Sequence, residues 1–195
     1  MIKTMTKWAA LGAAALLLAG CAGTKFVRPA ESDLQLGKTT EQQVVAALGK
    51  PMQEASGLSN GKATRTLVYA YASFGAQSRT AGVTPVNALT LAFHDGKLVG
   101  KEYVSTLKED ATDFDHTKVP QIQMGKTTLA QVNALLGPAP GEAIHPVIKQ
   151  PTGRALVYSY TEVRGFTPSA KKLTVVLDGQ GTVVDVEYQN QGTWK

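Results

Sequence analysis

The chain carries the stretch GKTTEQQVVAALG at residues 37–49 and a second version of it, GKTTLAQVNALLG, at residues 125–137. Further matches follow in the same order, and the spacing between the two copies drifts only from 84 to 89 residues. The matching blocks are residues 67–71 and 156–160, 89–91 and 173–175, 96 and 181, and 102–103 and 187–188. Chance similarity does not preserve order over this many blocks, so the sequence predicts an internal duplication.

Each copy begins with the signals of a short helix. Thr40 with Gln43, and Thr128 with Gln131, form the capping-box pattern, in which a threonine and a glutamine side chain satisfy free backbone N–H groups. Apolar residues follow at helical spacing, and a glycine with a nearby proline ends each pattern. The pattern predicts two helices of about ten residues, which are too short to be stable without packing against other structure.

Period-two alternation of apolar residues predicts the strands that follow each helix. The alternating segments are residues 67–72, 89–94, 156–160 and 173–177. Turn sequences at 94–97 and 178–181 lead into third strands near 98–104 and 183–188. The predicted fold class is α+β, with two tandem repeats, each a short helix or helical hairpin packed on a three-stranded antiparallel sheet.

The N-terminus has the layout of an export signal. Residues 1–7 are basic, residues 8–19 form an apolar run, and small residues follow. An apolar helix of this length rises about 18 Å, which is too little to cross a hydrocarbon core of about 30 Å. The sequence therefore predicts export without a membrane-spanning helix.

Leu18-Ala19-Gly20-Cys21 resembles the lipobox of bacterial lipoproteins. The resemblance implies cleavage between Gly20 and Cys21, diacylation of the Cys21 thiol and acylation of the new amino group. Several acyl chains give durable anchoring where a single chain is marginal. Because residue 22 is Ala rather than the Asp that retains enteric lipoproteins at the inner membrane, the implied location is the periplasmic face of the outer membrane.

Composition excludes several classes of protein. The chain has 195 residues, of which 43% are hydrophobic and 18% charged, as in ordinary globular proteins. A single cysteine excludes an intrachain disulfide and a cysteine-based zinc site. Loss of Lys3 and Lys7 with the signal lowers the formal charge from +5 to +3, which is too mild to indicate nucleic-acid binding.

The predicted organisation places a polar tether and a linker around the two repeats. The segment around Pro29 has no clear period, and the acidic segment ahead of Pro120 has little apolar content and is expected to be solvated. The predicted order is signal peptide 1–20, lipidated tether 21–33, first repeat 34–107, linker 108–120, second repeat 121–190 and tail 191–195.

The Gly-x-Thr, Gln-Val, Leu-Gly-x-Pro and Tyr-x-Tyr motifs together resemble the SmpA/OmlA family of BamE-like outer-membrane lipoproteins. The resemblance covers residues 34–102 and 122–188. It implies a non-enzymatic role in outer-membrane assembly or envelope integrity, with an envelope or outer-membrane protein as partner. The tandem arrangement also resembles the β-lactamase inhibitory proteins, which implies the alternative of an inhibitor or regulator of an envelope enzyme.

Motifs for catalysis or metal binding are weak in this sequence. Residues 57–61 match the G-x-S-x-G pattern of a hydrolase, but Asn60-Gly61 favours a tight turn instead. Residues 37–39 and 125–127 resemble the end of a phosphate-binding loop but lack its earlier glycine. Asp113, Asp115 and His116 form a weak candidate for a divalent ion, and a solvated linker is the preferred interpretation. No enzyme activity, cofactor or metal is predicted.

A partner surface is expected on the strand faces opposite the tyrosines. The tyrosines at 69, 71, 158 and 160 are expected to pack beneath the helices, with an aromatic interaction surface as the alternative. The candidate partner surface consists of Val68, Ala70, Ala72, Phe74, Thr90 and Ala92. If the chain is an inhibitor instead, the long hairpin tip at residues 73–87 is the candidate for insertion into an enzyme cleft.

Overall fold

A computed structural model describes residue 23 and residues 25–73, 75–192 and 194. These residues form one eight-stranded antiparallel sheet in which each strand pairs with the next along the chain. The strands are β1 (Gln53–Ser59), β2 (Lys62–Ala72), β3 (Val86–His94), β4 (Lys97–Ser105), β5 (Gly141–Ala143), β6 (Arg154–Arg164), β7 (Thr167–Leu177) and β8 (Val183–Gln191). The two α-helices of the described chain are α1 (Glu41–Leu48) and α2 (Leu129–Leu136).

The predicted fold class of two helix-on-three-strand repeats is wrong, because a single sheet runs through the described chain. Two strands were missing from the prediction. Strand β1 lies at the sheet edge with nearly every residue exposed, so it shows no apolar alternation. Strand β5 has three residues, and it joins the halves by pairing Gly100 with Ala143 and Glu102 with Gly141.

Both predicted helix starts are confirmed. The Thr40 side chain accepts a hydrogen bond from the Gln43 backbone N–H, and the Gln43 side chain accepts one from Thr40 N at 2.8 Å. Thr128 and Gln131 form the same reciprocal pair in the second copy. Each helix is eight residues long and ends at a glycine with positive φ, where residues with a Cβ are disfavoured.

Two hydrophobic cores lie side by side on the face of the sheet that α1 and α2 cover, which we call the helix face. In the first half (α1 and β1–β4), Val44 of the helix meets a core that includes Leu67, Leu89 and Leu91. In the second half (α2 and β5–β8), the core consists of Phe114, Ile122, Val132, Leu156, Tyr158, Leu173, Val175, Leu177 and Val183. Burial of these side chains holds the short helices in place.

The segments expected to be a tether and a solvated linker also belong to these cores. Phe26 is buried in the first core, with its ring 6.2 Å from that of Tyr69. Phe114 is buried in the second core, with its ring 5.9 Å from that of Tyr158. The linker is therefore anchored at Phe114 rather than solvated, and the tether is anchored at Phe26. Each of these segments has a single aromatic side chain that is buried, which leaves no periodic signal in the sequence.

The predicted signal peptide, with Gly20 and Cys21, lies outside the described residues. In the part of the chain that the structure describes, no helix is long and apolar enough to span a membrane.

Candidate functional site

The face of the sheet opposite the helices, which we call the open face, spans both halves of the molecule. Register partners in a sheet point to the same side, so a row of partners defines the face. One row crosses from β2 to β8 through Val68, Thr90, Glu102, Gly141, Val157, Thr174 and Glu187. A second row beside it is made mostly of small residues, namely Thr66, Ala92, Gly100, Ala143 and Ala155.

The loop that joins β5 to β6 crosses the middle of the open face. Ile148 is buried against Ala143, Ala155 and Val176. Asn60, in the β1–β2 turn, donates a hydrogen bond from Nδ2 to the Pro146 carbonyl at 2.8 Å, which brings the edge hairpin to the same loop. The small residues of the second row leave space for this loop. The periodic patterns in the sequence did not predict that the loop packs on the sheet.

A pocket of about 480 Å³ lies between the loop and the sheet, and we call it the central pocket. Its lining combines small side chains with hydroxyl and carboxylate groups, among them Thr90, Ala92, Thr174 and Glu187. The Lys172 ammonium donates a hydrogen bond to the Glu102 carboxylate at 2.5 Å, which joins β7 to β4 across this pocket. The pocket is open and of mixed polarity, as expected of a surface that binds a partner.

A second cavity, which we call the apolar groove, lies on the open face of the first half. It has a volume of about 400 Å³. Apart from Tyr71, Asn87 and Thr161, its lining consists of glycine, alanine, valine and methionine residues. Ala70, Ala88 and Val104 form one register row across its floor. Met52, which is 58% exposed, contributes to its lining.

The predicted partner surface is divided between these two cavities. Ala70 and Ala72 line the apolar groove, and Thr90 and Ala92 line the central pocket. Val68 lies on the same face, between them in the register of β2. All five are half-buried, and Phe74 lies outside the described residues. Sequence reasoning missed the residues that complete the two cavities, which are Met52, Val86, Ala88, Val104, Val147, Thr174 and Glu187.

Two of the four tyrosines on the other face, Tyr69 and Tyr158, hold the helix ends. The Tyr69 and Tyr158 hydroxyls donate hydrogen bonds to the carbonyl oxygens of Gly49 and Gly137, at 3.1 Å and 2.8 Å, where each helix ends. Burial raises the pKa of Tyr158 to about 12, and it raises the pKa of Tyr69 as well. The expectation that these two rings pack beneath the helices is confirmed.

The weak chemical motifs occupy structural positions. Residues 57–59 belong to β1, and Asn60-Gly61 is the turn into β2 with positive φ at both residues, so the turn interpretation is confirmed. Asp113 Oδ1 accepts a hydrogen bond from the Lys171 ammonium at 2.7 Å, and Asp115 accepts one from Thr117 N at 3.0 Å. Among the described residues, no three His, Cys, Asp or Glu side chains are placed to hold a metal ion.

The long hairpin tip between β2 and β3 is tied to the second half. Thr84 N donates to the Val163 carbonyl at 3.0 Å, and Val83 forms a β-bridge with Arg164. Arg79 N donates to the Thr106 carbonyl at 2.9 Å. The contacts of Val83 and Thr84 cover the edge of β6 where β5 is too short to reach it, and the Arg79 bond ties the tip to the segment after β4. The described part of the tip is therefore held against the sheet, which does not favour its insertion into an enzyme cleft.

Comparison of the chain with family models, curated proteins and solved structures returns no match. The function is therefore inferred from the residues and from the motif resemblance.

Proposed function

We propose that this chain is a lipid-anchored protein on the periplasmic face of the bacterial outer membrane. It binds an envelope or outer-membrane protein and supports outer-membrane assembly or envelope integrity. The anchor rests on the lipobox at 18–21, and the process rests on the resemblance to the SmpA/OmlA family. The open face supports the binding role, because it runs across both halves with two cavities, and neither helix of the described residues lies over it.

The chemistry of the open face suits a protein partner. Small side chains over much of the face let a partner's side chains approach the backbone, and Thr66, Thr90 and Thr174 supply hydroxyl groups. Apolar and polar areas lie side by side, as at transient protein interfaces. Charged side chains also line the central pocket, where the Lys172 ammonium is paired with the Glu102 carboxylate at 2.5 Å.

Anchoring strengthens such binding. Gly23 lies at the rim of the apolar groove, two residues after Cys21. Two extended residues span at most about 7 Å, so the anchor holds the open face of the first half next to the bilayer. Confinement at the membrane raises the effective concentration of the protein near a membrane partner, and weak contacts are then sufficient.

In-cell photo-crosslinking tests this proposal. A photoreactive residue is placed at Thr90 and, separately, at its counterpart Thr174, both on the open face. The control position is Gln42, an exposed residue of α1 on the helix face. We expect adducts with an outer-membrane protein or an assembly component from the two open-face positions, and none from Gln42.

The second arm is a Cys21→Ala form exported by a conventional signal peptide. We expect the adducts to be lost in this form. Equal adduct yield from Gln42 would contradict the use of the open face. An adduct with one envelope enzyme that persists without the anchor, and alters that enzyme's activity, would favour the inhibitor alternative.

A further inference from the structure

The apolar lining of the groove is not repeated at the corresponding positions of the second half, although the strands there correspond. In the first half the floor of the groove is the row Ala70, Ala88 and Val104. The corresponding row in the second half is Ser159, Lys172 and Gln189. The sheet therefore accepts polar side chains and a charge at these positions. The apolar lining of the first half is not required by the fold, and it indicates an apolar ligand.

The described chain reaches this groove close to the lipidation site. Gly23 forms a β-bridge with Tyr71 and lines the groove. Its φ is +73°, and a Cβ at this position would lie 2.1 Å from the Ala70 carbonyl oxygen. Only glycine fits so close to β2, so the backbone is held at the rim of the groove. Cys21 is two residues away, within about 7 Å of chain.

From these observations we propose that the apolar groove binds one acyl chain carried by Cys21 of the same molecule. The proposal rests on the lipid anchor of the proposed function. Triacylated Cys21 has three chains, and two are sufficient for stable anchoring, so one is free to occupy the groove. The driving force is removal of the hydrocarbon from water, and it therefore acts while the protein is off the bilayer.

The test uses the chain from Cys21 onward, in which Cys21 is the only thiol. The thiol is alkylated with N-methylmaleimide in one sample and with N-octylmaleimide in the other. Methyl NMR spectra of alanine and valine report on the groove through Ala70, Ala88 and Val104. Ala143 and Ala155, beneath the β5–β6 loop, serve as control methyl groups. We expect the octyl chain, but not the methyl group, to shift the groove signals and to raise the melting temperature by several degrees.

Two substitutions give the first half the chemistry of the second. Ala88→Lys introduces the residue found at 172, and Val104→Gln introduces the residue found at 189. Each is expected to abolish the octyl response, whereas Gln42→Lys, at an exposed position of α1 on the helix face, leaves it unchanged. Two variants are used so that a folding defect in one does not decide the result. Identical spectra for the octyl and methyl samples, or an octyl response that survives both substitutions, would overturn the proposal.

Mass spectrometry of the protein from cells separates this proposal from the one on which it depends. Acylated Cys21 with no octyl response would overturn the groove proposal and leave the anchor intact. Unmodified Cys21 would overturn both.

Discussion

Tyr69 in the first half and Tyr158 in the second donate the same hydrogen bond to the glycine that ends the adjacent helix. The Gly37 and Gly125 N–H groups bond Leu98 and Val183 carbonyls, both at 2.7 Å. The two halves thus share contacts that hold their helices on the sheet. The open face differs at the row of the apolar groove, which is Ala70, Ala88 and Val104 in the first half and Ser159, Lys172 and Gln189 in the second. The contacts that hold the helices are thus the same in both halves, whereas the row that lines the apolar groove differs between them.

A buried charge provides a second difference between the halves. The Lys171 ammonium donates to Asp113 Oδ1 and to the Phe114 carbonyl, both at 2.7 Å, and lies 4.7 Å from the centre of the Trp194 ring. The corresponding residue in the first half is Asn87, which donates to the Tyr103 hydroxyl at 3.3 Å. In the first half a neutral asparagine therefore stands in place of the lysine, and its partner Tyr103 donates in turn to the Asp110 carboxylate at 2.6 Å.

The largest loss of stability is expected from making a cavity in either of the two hydrophobic cores. Leu89→Ala and Leu173→Ala each remove a fully buried side chain and are expected to cost about 3 kcal/mol of unfolding free energy. Because β4 pairs with β5, we expect the halves to unfold together. Urea titrations of the chain from Cys21 onward check this by circular dichroism and by fluorescence of Trp194, the single tryptophan of that form. A Leu89→Ala variant whose Trp194 transition stays at the wild-type midpoint would contradict joint unfolding.

The next largest effect is a difference in unfolding free energy between variants of Lys171 and of its counterpart Asn87. Lys171→Met removes two charge-assisted hydrogen bonds and is expected to cost about 2 kcal/mol, whereas Asn87→Leu removes one neutral bond and is expected to cost about 1 kcal/mol. Asp113 is 39% exposed, so water hydrates it once Lys171 is gone and limits the loss. Urea unfolding measures both, with Lys172→Met as the half-exposed control. A larger loss for Asn87→Leu than for Lys171→Met would refute this ranking.

The Tyr69 and Tyr158 hydroxyls test whether the two halves are equally stabilised at the ends of their helices. Tyr69→Phe and Tyr158→Phe each leave a helix-terminal carbonyl without its donor, and each is expected to cost about 1 kcal/mol. The two losses should agree, because the contacts agree. Thermal unfolding of the two single variants is the measurement, and a loss confined to one of them would show that the halves are not equivalent at this contact.

The smallest expected effect is the pH dependence of stability that Glu31 of the first half contributes. Burial alone raises the pKa of Glu31, but the hydrogen bond and charge of Lys101 outweigh it, and the pKa lies below its ordinary value. A lowered folded-state pKa stabilises the fold above the unfolded-state pKa, and this contribution is lost as the pH falls through the folded-state value. Glu31 is 62% exposed, so solvent screening keeps the contribution to roughly 0.5 kcal/mol.

The check is the urea midpoint of wild type and Glu31→Gln between about pH 6 and about pH 3. The two proteins should differ at the upper end of this range and converge at the lower end. The corresponding residue of the second half is Val119, which has no such titration. A difference that grows toward low pH would show that the assigned direction is wrong.

Local signals in the sequence predicted the parts of the fold that are locally determined. The Thr40 and Thr128 caps, the Asn60-Gly61 turn, the alternation in four of the eight strands and the turns that lead into two more are set by neighbours along the chain. Strand β5 has three residues, which is too short for a recognisable alternation. The pairing of β4 with β5 joins segments that are far apart in the sequence, so local patterns do not predict it. Phe26 and Ile148 are lone apolar residues in polar or irregular segments, so their burial had no periodic signature. The small residues of the predicted partner surface were found by alternation, whereas the groove and pocket they line depend on the register of other strands.

The β4–β5 junction has a consequence for the two ends of the sheet. Strand β1 corresponds to β5, and β8 corresponds to β4, so the two outer edges are related as the two sides of the internal junction are. A sheet assembled in this way has two different outer edges, β1 and β8. If a further copy of the repeat were fused after β8, its first strand would pair with β8 as β5 pairs with β4. Asp185 and Glu187 charge that edge in β8, which discourages head-to-tail growth between separate molecules.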